Sequence, residues 1–134
     1  MARTKTVAPR CLILDSGAVI GLARGDLRVR ATLRRALELG VDVRIPTVVL
    51  AETLRGGARD APIHRIRAAV DVFPQTEIVA RAAGALLGRT KGKNTVDALV
   101  AAEAIVAGAD LLTGDPTDMR ALLTEHANVS IIEV

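Results

Sequence analysis

Two four-residue runs constrain this chain more than anything else in it. Cys11-Leu12-Ile13-Leu14 stops at Asp15-Ser16-Gly17, and Asp110-Leu111-Leu112-Thr113 gives way to Gly114-Asp115-Pro116. The first, an apolar run that stops at a loop, is the pattern of a strand buried on both faces, and the second reads as a strand too. Such strands belong to parallel sheets, whose connections cross over through helices.

Helical spacing fills the intervals. A helix is expected from Ala18 to Ala23, then another through Val29, Leu33, Ala36 and Leu37 that ends at Gly40. Val41 to Ile45 alternates like a strand, and Pro46-Thr47 opens a helix that Gly56-Gly57 stops. Ile63, Ile66, Ala69 and Val70 recur at helical spacing before a short strand at Val72-Phe73. The next helix starts at Gln75 or Thr76 and runs to about Leu87, and Gly88 to Lys93 reads as a basic loop. Asn94 or Thr95 caps an apolar helix through Val106, closed by Gly108. After the strand at 110–113, Asp115-Pro116 starts the last helix and 129–134 is the last strand. This alternation predicts an α/β fold with a largely parallel sheet, and residues 1–134 are expected to form a single domain.

Composition narrows the function classes. Half of the 134 residues are hydrophobic, which excludes a disordered chain. Phe73 is the only aromatic residue, so a ligand is not expected to be held by aromatic stacking. Cys11 is the only cysteine, which excludes an intramolecular disulfide and a thiolate metal cluster and fits a reducing, cytoplasmic setting. The basic residues 1–10 are expected to be flexible, and the apolar run after them is too short for a signal peptide. No window reaches the roughly 20 apolar residues of a membrane span. The net charge is +3 and every basic residue but Lys5, Lys91 and Lys93 is Arg. An Arg fork suits phosphate, although a compositional bias accounts for the surplus equally well.

Ligands of parallel α/β sheets bind beyond the carboxyl ends of the strands, where the strand order reverses. Asp15 and Asp115 both follow short strands, Glu52 is the one charge in Val48-Val49-Leu50-Ala51-Glu52-Thr53-Leu54, and Asp97 lies in the first turn of a helix. Each has an ordinary alternative: Asp15 and Asp115 as helix caps, Asp118 as the third-position acid of a capping box, Asp97 as a dipole partner, Glu52 as a solvated residue. Together they fall where such a sheet brings acids to one rim, and converging carboxylates repel one another unless a cation lies among them. Oxygen donors without His or Cys select a hard cation, Mg²⁺ or Mn²⁺. A site of that kind suits phosphodiester hydrolysis, activating water and offsetting charge on the leaving oxygen. No phosphate-cradling Gly-rich loop, dinucleotide fingerprint or Gly-x-Ser-x-Gly motif is present.

Leu12-Ile13-Leu14-Asp15-Ser16, Leu50-Ala51-Glu52, the stretch from Val96-Asp97-Ala98 to Ala102-Glu103-Ala104, and Leu111-Leu112-Thr113-Gly114-Asp115 resemble, in order, the four acidic motifs of PIN-domain proteins. The resemblance covers essentially the whole chain. It implies a three-layer sandwich with strand order 3-2-1-4-5 and helices on both faces of the sheet. It also implies a Mg²⁺- or Mn²⁺-dependent endoribonuclease, in small members mostly a VapC-type toxin, often dimeric and inhibited by a VapB-type antitoxin. By position, Asp15, Glu52, Asp97 and Asp115 would be the catalytic and metal-holding acids, with Asp118 a further ligand. Thr113 and Ser16 would support them. An acidic cleft repels RNA unless basic residues at its rim bind the flanking phosphates; Arg89, Lys91 and Lys93, in the loop before the helix of Asp97, are the candidates for that contact, whereas the Arg24 to Arg35 stretch fits a solvated helix face as well. Met119 stands where many members carry an aromatic residue.

Two other readings are open. A nuclease-inactive PIN-like module would bind RNA or protein and use the acids only as caps. A phospho-acceptor receiver would need an early acid pair and a late Lys, and this chain has neither.

Overall fold

The computed structural model describes residues 11–134; the expected flexible basic segment, 1–10, lies outside the described residues. Five strands form one sheet: β1 (Cys11–Leu14), β2 (Asp42–Pro46), β3 (Asp71–Phe73), β4 (Asp110–Thr113) and β5 (Ile131–Glu133). Their order is β3-β2-β1-β4-β5, and every neighbouring pair is parallel. The two short runs are the central strands β1 and β4. Ile13, Leu14, Leu111 and Leu112 are wholly buried, as residues flanked by helices on both sides must be.

Seven helices connect the strands: α1 (Ser16–Ala23), α2 (Leu27–Glu38), α3 (Thr47–Thr53), α4 (Ala61–Ala69), α5 (Glu77–Thr90), α6 (Thr95–Ala107) and α7 (Pro116–Leu122). Parallel crossovers are right-handed, which places α1 to α4 over one face and α5 to α7 over the other. The packing agrees: α1 meets α2, α3 and α4, whereas α5, α6 and α7 pack on one another. On α2, Val29 and Ala36 face the core while Arg28, Arg30, Arg34 and Arg35 are exposed, so this cluster of arginines lies on the solvent side.

Local chemistry sets the ends. Asp15 caps α1, which starts at Ser16 rather than Ala18 because the Asp15 carboxylate already accepts from the Ala18 N–H at 3.1 Å. Asp26, Thr76 and Asn94 cap α2, α5 and α6 in the same way. Gly108 ends α6 at φ 62°, a left-handed conformation that suits glycine. Met119 is fully buried under α7 and fills core volume.

One boundary corrects an expectation. The segment 88–93 is a loop only from Lys91 onward, because α5 carries on through Gly88 and Arg89 to Thr90. The Thr90 hydroxyl donates to the Leu86 carbonyl at 2.7 Å, and Lys91 then leaves the helix in a left-handed conformation (φ 57°).

Candidate metal centre

The sheet order reverses between β1 and β4. β1 leads outward to β2 and β3, and β4 leads outward to β5. The crevice beyond these two strand ends is where the acids meet. The Asp15 backbone N–H donates to Leu112 O at 3.1 Å, tying the end of β1 to β4.

Asp15 is almost completely buried (5% exposed), and burial raises its pKa. Hydrogen bonds to its charged form oppose that rise. The Thr113 hydroxyl donates to Oδ2, and the Ala18 and Gly114 N–H groups donate to Oδ1 at 3.1 and 3.4 Å. Thr113 Oγ1 in turn accepts from the Asp115 N–H at 2.8 Å, so one hydroxyl links the acids that follow β1 and β4. Ser16 opens α1, and among the described residues no hydrogen bond joins its side chain to the acids.

Asp97 stands in the first turn of α6, where Asn94 Oδ1 accepts from its N–H at 3.0 Å. Its pKa is pushed up to about 6, first by desolvation and then by the charges of Asp115, Asp118, Glu52 and Asp15. Four other acids therefore act on Asp97 across the crevice. Asp115 and Asp118 are exposed on α7, and Asp115 raises the Asp118 pKa both as hydrogen-bond partner and as charge. Neither caps the helix: Asp115 holds the cap position of α7 without a side-chain cap bond. Half-buried Glu52 lies near the end of α3, a helix that packs against α6.

One carboxylate oxygen from each of Asp97, Asp115 and Asp118 lies within 4.8 Å of the others. This all-oxygen donor set, open to solvent on one side and mutually repulsive, has the chemistry of a hard divalent cation site. Asp118 thus joins the tight trio, while Asp15 stands behind it with its oxygens engaged by Thr113 and backbone N–H groups. Glu103 is on α6 too, but more than a turn further along. Its carboxyl is raised by burial, with Arg44 opposing, and it stands outside the trio.

Two glycines that carry no chemistry shape the crevice, and the sequence reading passed over both. A Cβ on Gly17 would lie 2.8 Å from Gly114 Cα and N, so the N-terminal turn of α1 and the β4–α7 turn touch backbone to backbone. That contact lets Gly114 N–H reach Asp15. The available signal was a glycine beside an acid at the end of each central strand.

The basic residues divide. Lys93 lines a cavity shared with Asp97 and Asp118. Arg89 does not: it sits in the last turn of α5, 3.6 Å from Glu125 and 3.4 Å from His126 Nε2, and lines an adjoining cleft that shares Thr90, Ala121 and Leu122 with that cavity. Lys91 is exposed at the turn between α5 and α6.

Comparison with known proteins follows the same lines. The family model described as the PIN domain matches residues 12–121. The chain belongs to the PIN domain family. Solved structures similar to this PIN domain include VapBC2 from Rickettsia felis bound to a DNA fragment from their promoter (14% identity, 92% of this chain and 98% of that chain, TM-score 0.74). A toxin–antitoxin complex from Klebsiella pneumoniae is similar at 19% identity over 92% of this chain and 99% of that chain, with a TM-score of 0.69. FitAcB from Neisseria gonorrhoeae is similar at 22% identity over 91% and 96%, with a TM-score of 0.68. At these identities the likeness is one of fold. Among curated proteins no sequence matches this PIN domain significantly. Among its described residues no helix is long and apolar enough to cross a membrane.

Proposed function

We propose that this PIN domain is a Mg²⁺- or Mn²⁺-dependent endoribonuclease and the toxin of a VapBC-type pair, acting in the cytoplasm. The observation that carries the reading is Asp97, whose pKa is pushed to about 6 by burial and by four surrounding acids. A cap or a dipole partner needs one acid, and a carboxylate set among four others costs stability unless a cation is bound.

Asp97, Asp115 and Asp118 would hold the ion, with Asp15 and Glu52 beside them. When bound, the ion supplies Lewis acidity toward water and the phosphoryl oxygens. The chain's own residues orient the site. Thr113 and two backbone N–H groups fix the Asp15 carboxylate, and Asn94 anchors the turn that carries Asp97. The exposed face of Asp115 and Asp118 is where a phosphodiester can enter. Removing Asp15, Glu52, Asp97 and Asp115 from the 15 acids leaves 11 against 18 basic residues, so the remaining surface is more positive than +3 implies and suits a polyanion.

A VapB-type antitoxin as inhibitor and a homodimer as the assembly belong to the same reading. The toxin–antitoxin composition of the structural neighbours supports the first. Exposed Leu27, Leu37 and Ile78 supply apolar surface for either contact. The test is incubation of purified protein with total RNA, with and without Mg²⁺, followed by mapping of the cut ends. Cleavage that needs the metal and is lost in Asp15→Asn and Asp97→Asn supports the proposal. Cleavage retained in both variants, or none with wild type, refutes it.

A further inference from the structure

Beside the acids, the end of α5, the turn from Lys91 to Asn94 and α7 enclose a cavity of about 300 Å³. Asp97 and Asp118 stand on one side of it, but the rest differs in character. Ala121 and Leu122 of α7 give an aliphatic floor. Gly92 leaves that floor free: a Cβ there would lie 3.2 Å from Thr90 Oγ1 and 3.4 Å from methyl carbons of Leu87 and Leu122. On the remaining side are two hydrogen-bond donors. Lys93 has no ion-pair partner among the described residues, and Asn94 spends its Oδ1 on the Asp97 N–H, which leaves its amide NH₂ uncommitted.

We propose that this cavity seats the base next to the scissile phosphate and sets the sequence at which the RNA is cut. The inference rests on the ribonuclease reading for the location of that phosphate. Ligand pockets run from about 300 to 1,000 Å³, so this one is of a size for a single nucleotide, and it opens directly onto the acids. The aliphatic floor takes the face of a base without aromatic stacking, consistent with a chain whose one aromatic, Phe73, packs under Arg44. The donors set the choice. Asparagine recognises adenine by donating to N7 and accepting from N6; here Oδ1 already gives one of its two lone pairs to the Asp97 N–H, and Lys93 adds a second donor. Two donors, Lys93 and the Asn94 amide, match the O6 and N7 acceptors of guanine. The cavity therefore prefers guanine to adenine.

The test is sequencing of cut ends from a randomised RNA digested in Mg²⁺ by wild type, Ala121→Trp and Lys93→Met. A parallel NMR titration of the metal-free protein with guanosine and with adenosine follows the amides of Gly92, Lys93, Ala121 and Leu122. Wild type is expected to favour guanine over adenine by about tenfold at one fixed position beside the cut. Ala121→Trp, at an exposed position whose folding a thermal melt verifies, fills the cavity; its remaining cuts lose the preference, and Lys93→Met weakens it. An unchanged preference in Ala121→Trp, or no preference in wild type, overturns the inference. If wild type cuts no RNA, the ribonuclease reading fails and the titration decides the cavity. Guanosine shifts at these four amides that Ala121→Trp abolishes support a base-binding cavity, and their absence overturns it.

Discussion

Replacing Asp97 by Asn should make the metal-free protein more stable at neutral pH. The Asp97 carboxyl goes from an ordinary value of 3.8 to about 6 in the fold. A group whose pKa rises on folding binds its proton more tightly in the native state, so native stability declines as pH climbs from about 4 through 6. At about 1.4 kcal/mol per pH unit the rise is worth roughly 3 kcal/mol. Asp97 is only partly buried and solvent screens its neighbours, which reduces the figure to about 1–2 kcal/mol. The amide keeps the shape of the side chain, and the Asn94 cap on the backbone of residue 97 is untouched. The assay is urea unfolding of wild type and Asp97→Asn in EDTA at pH 4 and pH 7.5. The variant should match wild type at pH 4 and exceed it by about 1–2 kcal/mol at pH 7.5. Added Mn²⁺ should then close the gap by stabilising wild type alone. A variant less stable than wild type at pH 7.5, or a difference that ignores pH, would show that the acids do not repel one another as described.

Thr113→Val removes the hydroxyl that donates to buried Asp15 and should cost about 1–3 kcal/mol, more at pH 8 than at pH 4.5, read from urea midpoints. Gly17→Ala should lower stability by about 1–3 kcal/mol, because its Cβ would meet the Gly114 backbone at 2.8 Å. Gly84→Ala is the control: nothing lies within 4 Å of its Cβ in the middle of α5, and helix propensity should raise stability by about 0.5–1 kcal/mol. Arg89→Ala should leave RNA cleavage within about twofold of wild type, since Arg89 is engaged with Glu125 and His126 and does not line the cavity that Asp97 and Asp118 share; a loss of the size expected of a phosphate contact would contradict that placement.

The sheet was legible because Cys11–Leu14 is an apolar run that burial on both faces explains, and Asp110–Thr113, with Leu111 and Leu112 at its centre, is a second short strand between helical stretches. Asp15 and Asp115 were legible for a related reason: an acid directly after such a strand stands at its carboxyl end, and the reversal of strand order lies between these two strands. What escaped the sequence depends on distance in space. The nearness of Asp118 to Asp97 comes from the packing of α7 on α6, which no spacing encodes. The Gly17–Gly114 contact joins two turns about a hundred residues apart. The end of α5 was misjudged because Gly88 looks like a stop, yet a glycine inside a helix costs only about 1 kcal/mol, and fully buried Leu86 holds that turn in place. With that further helical turn, Arg89 comes within reach of Glu125 and His126. The Arg surplus was ambiguous as composition. Its α2 portion is an exposed helix face, whereas Lys93, one of three lysines, is the basic residue at the cavity beside the acids.

Calorimetric titration of Mn²⁺ into the purified protein tests most directly whether these acids form a metal centre. Wild type should bind saturably, Asp97→Asn should bind far more weakly, and Gly84→Ala should bind as wild type does. A flat titration with folded wild-type protein, or equal binding by Asp97→Asn, would contradict that reading.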